Sequence, residues 1–143
     1  MSSIFRSIFT LEGINLFSKN TMVDHLGIVF TEIGDDYIKA TMPVDSRTFQ
    51  PLKLLHGGAS VSLAETLGSV AATMTVDPET HYCVGQEINA NHIKSAKHGF
   101  VEGITRPIHI GNRSQVWEIR ITNEENQLVC ISRITLAVIE KKN

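Results

Sequence analysis

Leu55-His56-Gly57-Gly58 leads into an apolar stretch whose one charged residue between Gly57 and Val76 is Glu65. Two adjacent glycines let the backbone turn sharply and leave its N–H groups bare. The first turn of a helix adds unpaired donors and a dipole that favours negative charge, so an oxyanion formed on an attacked carbonyl would be stabilised at Gly57. A lone carboxylate on the same helix can act as nucleophile or as general base toward water. The pair suits hydrolysis of an activated acyl group. Three neighbours complete the candidate set. His56 can polarise a carbonyl, orient the loop or cap the helix. Gln50 is an uncharged donor within reach of the same carbonyl or an ordinary loop amide, and Ser69 stands one helical turn after Glu65.

Gly57 and Glu65 are eight positions apart, about 12 Å along a helix axis at roughly 1.5 Å per residue. One carbonyl cannot touch both within a single chain. The spacing therefore predicts a homodimer in which one subunit supplies the oxyanion donor and the other the carboxylate.

The elements that must hold these groups are legible in the periodicity. Thr10 reads as the N-cap of a short amphipathic helix over Leu11 to Phe17. Strands are expected over His25 to Ile33 and Tyr37 to Val44, joined at Gly34-Asp35-Asp36, with an irregular loop from Asp45 to Leu55 broken by Pro51. From Gly58 to about Val76, Leu63, Leu67, Val70 and Met74 recur at three- and four-residue spacing, the mark of a largely buried helix. On it Val61, Glu65, Gly68 or Ser69, and Ala72 share one stripe. Four further strands are expected over Tyr82 to His92, Phe100 to His109, Gln115 to Thr122 and Leu128 to Ile139, separated by turn residues. With no crossover helices between them, these strands predict an α+β fold: a long central helix wrapped by a curved antiparallel sheet.

Bulk properties narrow the function. The 143 residues, 42% hydrophobic, fit a single domain spanning 1–143. A net charge of −2 and thirteen scattered Lys and Arg residues give no nucleic-acid footprint. Met1 to Thr10 has no secretory apolar run and no stretch approaches a membrane span, so a cytoplasmic protein is expected. Cys83 and Cys130 form no CxxC and read as two reduced thiols. No HxxxH, HExxH or carboxylate cluster occurs, so no catalytic metal is expected, and activity should survive EDTA. Neither GxGxxG nor a P-loop is present. Two polar turns, Asn89 to Ser95 and His109 to Ser114, each carry a cation and hydroxyl or amide groups. Either is a plain solvated turn or a contact for the phosphates and amides of a coenzyme A ester.

Gln50-Pro51, Leu55-His56-Gly57-Gly58-Ala59-Ser60, Ala64-Glu65 with Ser69, and Asn89-Ala90-Asn91-His92 together resemble the hot-dog-fold acyl-CoA thioesterases over nearly the whole chain. Met42 to Thr48 and Gln115-Val116-Trp117 also match the branch that hydrolyses 1,4-dihydroxy-2-naphthoyl-CoA in bacterial menaquinone synthesis. The resemblance implies that Glu65 is the catalytic carboxylate and the Gly57 N–H the oxyanion donor. It further implies that Gln50 and His56 position the thioester carbonyl and that Ser69 orients water or Glu65. Gly85, His92, Ile93, Lys94, Ser95, His109, Ile110, Gly111, Asn112, Arg113 and Ser114 would contact substrate and coenzyme A. The family is typically a tetramer of two hot-dog dimers and needs no cofactor, coenzyme A being part of the substrate. One departure is Lys53, where relatives carry a small residue such as Gly. A close branch removes misloaded acyl groups from an aryl carrier protein with the same residues, so a carrier protein is an alternative partner. Two other readings are a hot-dog dehydratase, whose His-Phe-Pro type of loop is absent, and a non-catalytic acyl-CoA binder.

Overall fold

The computed structural model describes residues 2–143. Three helices and six strands follow the chain: α1 Leu11–Phe17, α2 Met22–His25, β1 Val29–Ile33, β2 Ile38–Pro43, α3 Gly57–Thr75, β3 His81–His92, β4 Phe100–Ile110, β5 Ser114–Thr122 and β6 Leu128–Glu140. The strands form one sheet in the order β1-β2-β4-β5-β6-β3, and every neighbouring pair is antiparallel. α3 lies against β2, β3, β4, β5 and β6. This is the wrapped helix that the missing crossovers require.

Thr10 caps α1 as expected, its Oγ1 accepting the Gly13 N–H at 3.1 Å. The expected strand from His25 begins only at Val29: Met22–His25 form a helical turn, and Gly27 at φ +73 redirects the chain. Apolar spacing could not reveal so short an element, because four residues hold barely one period. Tyr37 and Val44 likewise fall just outside β2.

The core is the inner face of α3, with Leu63, Ala64, Leu67, Ala71 and Met74, against Ile38, Met42, Trp117, Ile119, Ile121, Ile134 and Leu136, all buried. Gly68 faces that core rather than the Glu65 stripe. A β-carbon there would stand 2.5 Å from Ile134 Cγ2, so glycine sets how closely α3 approaches the sheet. Buried Gln115 accepts from Trp117 Nε1 at 2.8 Å and donates to Thr75 Oγ1 at 2.9 Å, which ties β5 to the last turn of α3. Both cysteines are free and sit at opposite ends of the β3–β6 ladder, Cys83 opposite Val138 and Cys130 opposite His92. Among the described residues, no helix is long and apolar enough to cross a membrane.

Candidate active site

His56 is the N-cap of α3, extended at φ −68, ψ 131. Its Nδ1 accepts the Gly58 N–H at 2.8 Å. A backbone amide only donates, so Nδ1 is the accepting nitrogen and Nε2 is the one left to donate. The His56 carbonyl accepts from Ala59 and Ser60 at 2.9 and 3.2 Å. Three of the four donors of the first turn are thus satisfied locally, and among the described residues the Gly57 N–H has no acceptor. One bare amide, at the positive end of a 19-residue helix, is left for a ligand oxygen.

The loop before it is held rigidly. His56 N–H donates to Thr48 O and Leu55 N–H to Ala96 O, each at 2.8 Å. Gln50 N–H donates to Leu54 O at 2.8 Å, and the Gln50 side-chain oxygen accepts from the Leu52 N–H, leaving its NH₂ without a partner among the described residues. Lys53 closes this turn at φ +64, the left-handed region that favours glycine. The loop keeps the backbone that a glycine would adopt, with a lysine side chain in its place.

Glu65 projects from α3 half-buried, and among the described residues its carboxylate makes no ion pair or hydrogen bond. Burial alone pushes its pKa above the ordinary glutamate range. An unpaired, partly desolvated carboxylate costs stability and persists where function needs it. Its Oε1 lies over β3, where a β-carbon on Gly85 would come within 2.6 Å. Ser69, half-buried one turn on, directs its carbonyl to Thr73 Oγ1 at 2.8 Å.

His92 stands at the other end of β3. A β-carbon on Gly57 would be 2.9 Å from its Nε2, so the imidazole lies close to the Gly57 Cα. Gly85 and His92 are an odd number of positions apart, and in a regular strand they would point to opposite faces. A bulge reconciles them: Gly85 pairs with Leu136 but Glu87 with Thr135, leaving Gln86 as the extra residue. Alternation read from the sequence gives no sign of that bulge, although Gly85 just before it is a usual companion of one.

The two polar turns are not brought together within one chain. His92, Ile93, Lys94 and Ser95 lie by the N-terminus of α3, where Leu55 meets Ala96. His109, Ile110, Gly111, Asn112, Arg113 and Ser114 form the β4–β5 tip, beside the Gln115–Thr75 bond at the C-terminus of α3. There the His109 ring lies over Gly111, whose β-carbon would stand 2.5 Å from Nε2. Gly57 and Glu65 are likewise on separate turns of one helix, as their spacing demands.

An anion-accepting amide, a free basic carboxylate and an antiparallel sheet around one helix can together attack and stabilise a thioester carbonyl. The thioesterase superfamily profile matches residues 52–130, and the chain belongs to that family, with the hot-dog fold and the activity of a thioester hydrolase. It is 52% identical over 136 residues to the 1,4-dihydroxy-2-naphthoyl-CoA hydrolase of Escherichia coli, covering 95% of this chain and 99% of that protein. To the proofreading thioesterase EntH of Cronobacter sakazakii it is 49% identical over 136 residues, 95% of this chain and 98% of the other. The crystal structure of a Haemophilus influenzae thioesterase superposes with a TM-score of 0.93 at 47% identity, covering 96% of this chain and 95% of that one.

Proposed function

We propose that this chain hydrolyses aromatic acyl-CoA thioesters, with 1,4-dihydroxy-2-naphthoyl-CoA as its substrate in menaquinone synthesis. It works in the cytoplasm as a dimer of dimers and without a cofactor. The observation that carries this reading is the coexistence, on one helix, of a single unclaimed N–H at Gly57 and an unpaired carboxylate at Glu65. The naphthoyl-CoA hydrolase name of the E. coli relative, at 52% identity, supports the acyl group.

In this reading the thioester oxygen is held by the Gly57 N–H, with the NH₂ of Gln50 and the Nε2–H of His56 directed at the same carbonyl. Glu65 of the other protomer attacks the carbonyl carbon, or takes the proton of an attacking water that Ser69 orients. In the general-base route the C–S bond breaks, the free acid remains, and coenzyme A leaves as the thiolate and takes the proton that Glu65 removed from water. In the nucleophilic route a mixed anhydride forms on Glu65, and water then hydrolyses it. Oxygen-18 incorporation in a single turnover separates the two routes.

Two features support a subunit boundary at the site. β3 offers a bare edge of 12 residues beside Gly85, a length that proteins seldom leave unpaired. The outer face of α3 carries no charge except Glu65, unlike a helix face built for solvent. Pairing two copies there lets the turns around His92 and His109, distant within one chain, serve one coenzyme A.

Purified protein is mixed with aromatic and aliphatic acyl-CoA esters, and thiol release is followed with a disulfide reagent. Fastest release from bicyclic or hydroxybenzoyl esters is expected; no release from any ester contradicts the proposal. The name of the Cronobacter relative favours a second reading, removal of misloaded groups from an aryl carrier protein, which predicts faster release from the loaded carrier than from coenzyme A. Gly85→Ala tests the carboxylate geometry: its methyl group displaces Glu65, and kcat should fall about 10²-fold, as for a misplacement near 1 Å. Unchanged kcat would place the working carboxylate position elsewhere.

A further inference from the structure

A groove of about 400 Å³ opens between α2 and α3 and has Glu65 in its wall. Met22, Val23 and Leu26 line one side, Val61 and Thr66 the other. Its size falls within the usual range for small-molecule pockets. Thr66 Oγ1 donates to Ser62 O at 2.7 Å and Ser62 Oγ to Gly58 O at 2.9 Å, so these hydroxyls bond their own helix and leave the wall apolar. A groove of this composition with one carboxylate at its edge fits an apolar group joined to a reacting carbonyl.

The three side chains of the α2 wall differ in burial, with Val23 half-buried. Leu26 is buried, while Met22 remains 63% exposed. Left-handed residues bracket the segment, Asn20 at φ 62 and Gly27 at φ 73. Asp24 fixes it through the Asn20 N–H at 3.2 Å and Lys19 at 3.6 Å. Met22 is therefore a flexible, polarisable side chain over a fixed frame, suited to the face of a planar ring.

We infer that this groove holds the acyl group of the substrate and that Met22 is the residue that sets acyl size and shape. The inference rests on the thioesterase reading above and names the element behind its aromatic preference. A planar bicyclic acyl group lies between Met22 and Val61, with its carbonyl at Glu65, while a short acyl group leaves Met22 untouched.

The test measures kcat/KM for a bicyclic aromatic acyl-CoA and for acetyl-CoA in the wild type, Met22→Trp and Met22→Ala. Because the Met22 side chain is largely exposed, both variants should fold, which the thermal midpoint checks. The ratio of aromatic to acetyl kcat/KM should fall about 10-fold or more in Met22→Trp, which fills the groove, since even one methylene is worth about 10- to 200-fold in such a pocket. In Met22→Ala, which removes the contact with the ring, it should fall several-fold. An unchanged ratio in Met22→Ala, with the wild type active, overturns the inference, whether or not Met22→Trp folds or shifts subunit association. If the wild type hydrolyses neither ester, the functional reading itself has failed.

Discussion

Replacing Glu65 by Gln or Ala should lower kcat by about three orders of magnitude or more, with circular dichroism unchanged, because in the proposed mechanism the variant loses the group that attacks carbon or activates water. No fold contact depends on that carboxylate, which makes no ion pair or hydrogen bond among the described residues. Burial holds its pKa above the ordinary glutamate range. The native state therefore binds this proton more tightly than the unfolded chain does. The stability this group contributes is complete below its unfolded pKa and is lost as pH rises through the raised folded value. Glu65→Gln should accordingly match or exceed the wild type in thermal midpoint at neutral pH, with the difference closing in acid. Activity of the wild type should rise with pH through the same raised pKa. Near-normal turnover in Glu65→Ala would end the assignment, and a variant that melts well below the wild type would make Glu65 a structural residue.

Gly57→Pro should cost about 10²- to 10³-fold in kcat, the usual effect of deleting one oxyanion donor. Proline is well tolerated at the first helical position, where the missing N–H has no helical partner. The preceding His56, at φ −68 and ψ 131, already has the backbone that a following proline demands. The substitution thus removes the bare amide and, like alanine, adds a β-carbon 2.9 Å from His92 Nε2. Gly57→Ala is the control: it keeps the N–H and adds a methyl group 2.9 Å from His92 Nε2, the far end of a side chain that can turn away. Activity in the alanine variant should stay well above that of the proline variant. Equal losses in both would assign the effect to crowding of His92, and full activity in Gly57→Pro would remove the oxyanion role.

Much of this site is legible in the sequence because its signals are local. The glycine pair after His56, the single charge on an apolar helix and the eight-residue gap between them carry both the proposed chemistry and the prediction of two subunits. The long helix and the last four strands are plain in their periodicity, since each runs for several repeats. What escaped was set by tertiary packing or by elements too short to repeat. The expected strand begins at His25 and nothing in the periodicity marks Met22 to Asp24, yet Met22–His25 is a helical turn that supplies one wall of the groove beside Glu65. The bulge at Gln86 turns Gly85 and His92 to the same face, which strict alternation forbids. Gly68 shares the helix with Glu65, but close approach to Ile134 puts it in the core.

The most direct test of a site divided between two protomers is a mixture of its two disabled halves. Glu65→Ala and Gly57→Pro are each purified, combined in equal amounts, exchanged through mild denaturant and assayed for thiol release from an aromatic acyl-CoA. With random pairing half of the dimers are mixed, and each of these has one intact site, so activity should recover to about one quarter of the wild-type level. Activity no higher than the mean of the two variants alone, after exchange is verified by mass, would contradict a site built from Glu65 of one subunit and the Gly57 amide of the other.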